Sequence, residues 1–301
     1  MFIVNNRKFF FILSALLIAG SVWSIMAFGL HLGIDFKGGS LLEVSYAGNR
    51  PELESLKTRL DTLNLGAYVL TPAGDKNYTL KARDLTPEEK TAVVSAFSTD
   101  TSNPAKEEKF NSIGPVVGSD LKEKALVAIL IVVLCIVLFI TFAFRKVSKP
   151  VASWKYGLAT IVALAHDVII PTGIFVAWTH FNGGEIDLLF VTALLAILGY
   201  SVHDTIVVFD RVRENLSTSQ VDKFDKEIYQ EIVGNSLTQT FGRSINTSLT
   251  IFLALSALYF LGGESTRDFA FVLLVGVVAG TYSSIFVAAP LLVTLEKFQK
   301  R

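Results

Sequence analysis

ALVAILIVVLCIVLFITFAF, residues 125–144, runs for twenty positions without a charged side chain. A helix rises about 1.5 Å per residue, so this run is about 30 Å long, the thickness of a bilayer's hydrocarbon core. Five more stretches are predominantly apolar over about the length a span needs: residues 9–29 before it, and residues 157–178, 188–209, 244–261 and 269–295 after it. The sequence predicts six transmembrane helices. Composition agrees, with 51% hydrophobic residues and a mean hydropathy of +0.50, more apolar surface than a water-facing domain of this length can hide. Arg7 and Lys8 precede the first stretch as in a secretory signal. The run is long for a signal's apolar region, and no small-x-small cleavage site follows, so an uncleaved span is expected.

Composition also excludes several functions. Lys+Arg and Asp+Glu balance at 27 each, so no global basic field points to nucleic acid. The single cysteine, Cys135, sits inside the quoted run, which rules out an intrachain disulfide and a thiolate zinc cluster. With four histidines (His31, His166, His180 and His203), neither a structural metal site nor a cofactor is expected. No HExxH and no Gly-x-Ser-x-Gly occurs in a span, so an intramembrane hydrolase is not expected.

Cations beside the spans set the orientation. Arg7 and Lys8, then Arg145, Lys146, Lys149 and Lys155, then Arg211 and Arg213, and finally Lys297, Lys300 and Arg301 all fall on one side. Both termini are therefore expected in the cytoplasm. The chain divides into residues 1–29 (N-terminus and first span), 30–124 (a domain outside) and 125–301 (the other five spans, with a cytoplasmic segment 210–243). In that segment Phe224, Ile228 and Ile232 recur every four residues among Lys and Glu. They suggest an amphipathic helix on the inner membrane surface or one packed on the bundle.

The outer segment reads as α+β. Strand-like residues 40–46 precede Leu53, Leu56, Leu60 and Leu63, which are spaced for a helix over 51–64. Strand pieces at 67–71 and 78–83 flank a turn with Gly74 and Asp75. Thr86, Pro87 and Glu89 form a capping box that opens a helix to about residue 97, and a strand at 109–113 ends at Gly114-Pro115. The order βαββαβ is that of a split-βαβ, ferredoxin-like sandwich.

Polar groups within spans are the candidate site, because a charge at mid-bilayer costs roughly 3 kcal/mol and normally faces the bundle interior. His166-Asp167 falls near the middle of the third span and reads first as structural, since no basic partner is apparent. His203-Asp204 falls in the cytoplasmic half of the fourth, where Tyr200, Ser201 and Asp204 share a helix face. Arg243 opens the fifth span at similar depth, and Asn246, Thr247 and Thr250 continue its face. Asp204 and Arg243 are thus either a proton path or a static ion pair. Gly276, Gly280 and Ser284 form a small-residue stripe on the sixth span, read as packing.

Several of these stretches resemble the SecD/SecF family of translocase subunits. LGIDFKGG at residues 32–39 resembles that family's opening motif, with Asp35, Phe36, Gly38 and Gly39. GPVVG at 114–118, with Gly114, Pro115 and Gly118, lies where the family keeps Gly-Pro-x-x-Gly. GYSVHDTIVVFDRVREN at 199–215 and SLTQTFGRSINTSLT at 236–250 are the most specific likenesses. One small outer domain and six spans look like the SecF branch. The resemblance implies membership of the resistance-nodulation-division superfamily and a place in the bacterial inner membrane, with residues of about 30–124 periplasmic. It implies partnership with SecD, the SecYEG channel, YajC and YidC, an unfolded preprotein as cargo, and no enzymatic reaction. It also implies that Asp204 and Arg243 serve proton conduction driven by the proton motive force, and that the 36–39 segment acts as a hinge. Family members commonly carry Asn before that aspartate, whereas this chain has His203. The alternative from the same superfamily is a proton-driven exporter of small molecules or lipids.

Overall fold

The computed structural model describes residues 2–98, 103–145, 152–219 and 226–296. Among these, six helices are long and apolar enough to cross a membrane: Arg7–Phe28, Pro115–Ala143, Ser153–Asn182, Leu188–Thr218, Glu227–Leu261 and Thr266–Glu296. The chain forms two compact units. One gathers the spans apart from the first turns of the second, and the other comprises Leu32–Leu126 with Glu185–Leu188.

In the spanning unit the third, fourth and sixth helices supply most of the buried side chains. Tyr156, Ala159, Ala163 and Leu164 of the third meet Leu198, Val208 and Phe209 of the fourth and Ile285, Ala288 and Leu292 of the sixth in one apolar cluster. Close approach depends on small residues, because dispersion and shape fit drive helix association where both lipid and side chains are apolar. Gly173 packs directly on the backbone of the first helix: a Cβ there would lie 2.6 Å from the Ser21 carbonyl oxygen. Ser24 Oγ of the first helix donates to the Gly173 carbonyl at 2.8 Å. Gly280 likewise lets the sixth helix approach Ser201, whose Cβ would lie 3.1 Å from an added methyl.

Two features differ from the sequence expectation. The segment 210–243 contains no separate surface helix among its described residues. The fourth helix continues to Thr218, and the fifth runs unbroken from Lys226 to Leu261. Phe224 lies outside the described residues, and half-buried Ile232 packs on the bundle's apolar cluster beside fully buried Tyr229, Val233 and Leu237. Lys155, read as a connection cation, is buried, and its Nζ donates to the Leu295 carbonyl at 2.7 Å. A cation at a helix C-terminus offsets the negative end of that helix's dipole.

The second unit holds β1 (Gly39–Tyr46), α1 (Leu53–Asp61), β2 (Val69–Ala73), β3 (Asn77–Ala82), α2 (Pro87–Phe97) and β4 (Ala105–Ile113). The strands form an antiparallel sheet in the order β2-β3-β1-β4. Alternation puts Leu42, Val44 and Tyr46 of β1 and Tyr78 and Leu80 of β3 on one face. There they pack with Leu56 and Leu60 of α1 and Val93 and Phe97 of α2. Tyr46 and Tyr78 keep their hydroxyls paired, donating to the carbonyls of Phe97 (2.9 Å) and Pro51 (2.7 Å). Thr86 caps α2 as expected, with Glu89 N–H donating to Thr86 Oγ1 and Thr86 N–H to Glu89 Oε2. β4 starts at Ala105, four residues before the expected strand, and pairs along all of β1 with one register shift at Glu43/Val44.

Candidate functional site

His166 and Asp167 lie on the third span, both fully enclosed. Asp167 accepts hydrogen bonds from three neighbours. Ser201 Oγ of the fourth span and Ser283 Oγ of the sixth (2.7 Å) reach its Oδ2, and His166 Nδ1 lies 2.9 Å from Oδ1. The His166 ring stacks on Tyr282 with centroids 5.7 Å apart. Tyr282 is itself fixed, donating to the Phe10 carbonyl at 2.9 Å and accepting from Ser14. His166 Nε2 is buried and has no hydrogen-bond partner.

Asp204 follows Ser201 by one turn on the fourth span and is 6% exposed. Its Oδ1 accepts from Ser244 Oγ at 2.6 Å, while its Oδ2 has no partner. Hydroxyls continue from both carboxylates. Thr205 and Ser284 share a 2.8 Å bond, and Ser284 Oγ donates to the Ser201 carbonyl. Tyr200, Ser248 and Thr281 form a triangle with edges of 2.5, 2.6 and 3.1 Å. A π-helical turn, Ser283–Ala288, interrupts the sixth span here. It lets the adjacent Ser283 and Ser284 serve different partners, and such wide turns concentrate at functional sites.

The expected site residues therefore divide. Asp204, Ser201, Tyr200, His166 and Asp167 converge on this hydroxyl seam. Arg243, His203, Asn246 and Thr247 are exposed, and Arg243 makes no ion pair with Asp204. The reason is angular. Ser244 and Ser248 turn into the bundle along the same buried stripe as Tyr229, Val233, Leu237 and Thr240, and positions 243, 246 and 247 fall outside that stripe. The fifth span thus supplies Ser244 and Ser248, rather than Arg243, to this seam. Sequence reasoning missed Ser244, Ser248, Thr281, Ser283 and Thr205, and took Ser284 for packing alone. The four-residue recurrence of Ser236, Thr240, Ser244 and Ser248 was the signal available.

In the other unit the two glycine motifs meet. A Cβ on Gly38 would lie 2.7 Å from Pro115 Cα, and one on Gly118 would lie 2.7 Å from the Gly38 nitrogen. Gly38 and Gly39 both adopt positive φ, +78° and +135°, where a side chain is strained. Phe36 is buried, Gly33 N–H donates to Ile186 O at 2.8 Å, and Asp35 Oδ2 accepts from Leu188 N–H at 2.8 Å. Gly114 has open space around it, with Asp84 Oδ2 no nearer than 3.8 Å to an added Cβ. Among the described residues no cluster of His, Cys, Asp or Glu is arranged to hold a metal ion.

Known families share this combination of motifs and spans. Residues 93–298 match the family model described as "Protein export membrane protein SecD/SecF, C-terminal", and residues 23–48 match "SecD/SecF GG Motif". The chain belongs to the SecD/SecF family. It is 39% identical to a protein translocase subunit SecF from Thermobaculum terrenum, over 98% of this chain and 93% of that one. It is 35% identical to SecF of Vibrio alginolyticus, over 96% and 87%. Its fold matches the crystal structure of SecDF from Thermus thermophilus, a translocon-associated membrane protein, with a TM-score of 0.81 and 32% identity. That match covers 98% of this chain and 38% of the SecDF chain. A SecDF structure in a super-membrane-facing form gives a TM-score of 0.66 at 31% identity. The SecD/SecF GG motif spans the Gly38–Gly39 turn described above, and the C-terminal model spans both buried aspartates.

Proposed function

We propose that this chain, a SecF-type subunit of the protein-export machinery, conducts protons through Asp204 and acts with SecD to assist export of unfolded preproteins. The carrying observation is the state of the Asp204 carboxyl: buried in a span, held on one oxygen by Ser244, and with no cation in ion-pair reach. An enclosed carboxyl without a counter-ion is the kind of group that can hold and release a proton in a transport cycle. One charge crossing 100 mV supplies about 2.3 kcal/mol, enough to bias one domain position per proton but not to pull a whole preprotein. Export by this route needs many small cycles.

The exposed polar face supports the partnership. His203, Arg243, Asn246 and Thr247 lie beside spans where lipid would otherwise be, and an uncovered mid-membrane arginine is costly. SecD covers that face in our reading, which brings an acceptor to Arg243, and SecYEG, YajC and YidC complete the assembly. The βαββαβ order and the β2-β3-β1-β4 sheet support a ferredoxin-like domain placed in the periplasm, with both termini in the cytoplasm. The Gly38–Gly39 turn against Pro115 and Gly118 is its hinge. The role is transport, without a catalysed reaction.

The test is proton-gradient-driven export of a preprotein into membrane vesicles, with recovery of SecD measured on the same samples. Asp204→Asn keeps the shape and accepts from Ser244 but cannot titrate. Export falls at least about a hundredfold, the lower end of the range for loss of a proton-transferring group, while SecD recovery is unchanged. Normal export by this variant would refute the carrier role.

A further inference from the structure

A cavity of about 610 Å³ opens between the first, third, fifth and sixth spans. Its lining includes Leu13 and Leu17, Ile170 and Ile174, and Phe252 and Phe271. Most of the wall is apolar. The exceptions are His166 at its inner end, Tyr282 beside it, and Ser256 and Tyr259 on the fifth span.

His166 has an unusual arrangement there. Nδ1 faces the Asp167 carboxylate at 2.9 Å, which fixes the neutral ring with its proton on Nδ1 and leaves Nε2 as a lone pair. Nε2 has no partner, although the residue is 1% exposed. The other groups in contact with the pair are hydroxyl-bearing: Ser201 from the fourth span, and Ser283 and Tyr282 from the sixth, while Tyr259 of the fifth lines the far end of the cavity against Phe271 and Arg267. The first span contributes Leu13 and Leu17 to the wall, and Asp204 is the nearest further carboxylate, one turn beyond Ser201. No cation balances Asp167 among these. An isolated carboxylate in the membrane is expensive, and pairing it with a cation removes much of the cost.

We infer that the His166–Asp167 couple is a second proton-binding site, loaded from the cavity through His166 Nε2. A water that enters the cavity transiently and reaches His166 delivers a proton to the Nε2 lone pair and leaves as hydroxide, or arrives as hydronium and leaves as water. The Nδ1 proton stays on the ring, hydrogen-bonded to Asp167. The couple passes from net charge −1 to an enclosed neutral ion pair, the change that low-dielectric surroundings favour. Asp167 is joined through Ser201 to the helix turn that carries Asp204, so the two sites share one hydroxyl seam. This inference rests on the proton-coupled reading above and adds a loading group to it.

The experiment uses the full chain with SecD in liposomes, with 15N-histidine and solid-state NMR. The His166 signal is assigned by its loss in His166→Asn, whose amide still donates to Asp167 but has no Nε2. The imidazole passes from singly to doubly protonated between about pH 9 and pH 5. Asp167→Asn displaces that midpoint by at least about one pH unit, as expected when a contacting charge is removed. His166→Asn lowers gradient-driven export by about a hundredfold or more at unchanged SecD recovery. A His166 ring that keeps one protonation state throughout that range overturns the inference, whatever export does. So does full export by His166→Asn. The titration is read in the Asp204→Asn background too. If it persists there while that variant exports normally, Asp204 loses its carrier role and the His166 site stands.

Discussion

Substituting Gly118 by alanine isolates the junction between the two glycine motifs. The added Cβ would meet the Gly38 nitrogen at 2.7 Å and the carbonyl carbons of Phe36 and Lys37 at 3.2 and 3.3 Å. Every one of these atoms is backbone, so no side-chain rotation relieves the contact. Ordinary van der Waals contact begins near 3.4 Å, so the 36–38 segment must retreat by roughly 0.7 Å, the scale of backbone shift that overpacking imposes at about 1–3 kcal/mol. At 1.36 kcal/mol per tenfold, that is a roughly five- to 150-fold rise in local opening. Hydrogen exchange of the full chain in lipid nanodiscs reads it directly. The amides of Phe36, Lys37 and Gly38 are bonded to Gly33 O (3.1 and 3.1 Å) and Ile34 O (2.8 Å), and their exchange accelerates by that factor. Gly114→Ala, in the same Gly-Pro-Val-Val-Gly run, is the control: its Cβ meets only Asp84 Oδ2 at 3.8 Å, and exchange stays at the wild-type rate. Equal exchange in Gly118→Ala and wild type, or equal acceleration in both variants, would refute the steric argument.

Three further outcomes are expected. In a chain with Cys135 replaced, an impermeant thiol reagent added to whole cells labels a cysteine at exposed Ser55 and spares one at exposed Ser217; the reverse pattern overturns the cytoplasmic placement of both termini. Hydrogen bonds from Arg83 and from the Thr86 N–H hold the Glu89 carboxyl at about 2, below its usual 4.5. Its contribution to α2 is therefore fully present above about pH 4.5 and lost as pH falls through about 2, so exchange in 87–97 differs between wild type and Glu89→Gln at neutral pH and converges near pH 2. Gly173→Val forces the first helix off Ser21 and breaks the Ser24–Gly173 bond; cysteine cross-linking between the first and third spans is lost, and retention of cross-linking contradicts the packing.

The spans were legible because hydrocarbon thickness and helix rise leave little choice for an uncharged run of twenty residues. The Thr86–Glu89 box and the alternation of Leu42, Val44 and Tyr46 were equally plain, since both signals are local. β4 was shortened in the sequence reading because AKEEKF is polar at nearly every position: its strand state comes from backbone pairing with β1, not from a buried face. The site was half legible. Charged residues in a span attract notice by their cost, so Asp204, Asp167 and Arg243 stood out. Serines and threonines cost little in a helix, where the hydroxyl can bond the carbonyl one turn back, as Ser248 does with Ser244. The seam that joins the two aspartates was therefore invisible until the faces were known. Arg243 and Ser244 differ by one position, and only packing decides which of two neighbours turns inward.

The wide turn at Ser283–Ala288 has a consequence for how this helix tolerates change in length. One additional residue in a regular α-helix rotates everything beyond it by about 100°, which would swing Leu292 and Val293 away from the positions where they are now fully enclosed. Spreading the surplus over a single loosened coil keeps the two halves of the sixth span in phase, like a vernier between two scales. Deleting one residue between Ser283 and Ala288 would leave a tighter and locally better-bonded helix whose distal half points the wrong way. Stability measured on that span alone would rise while the assembled bundle lost its fit.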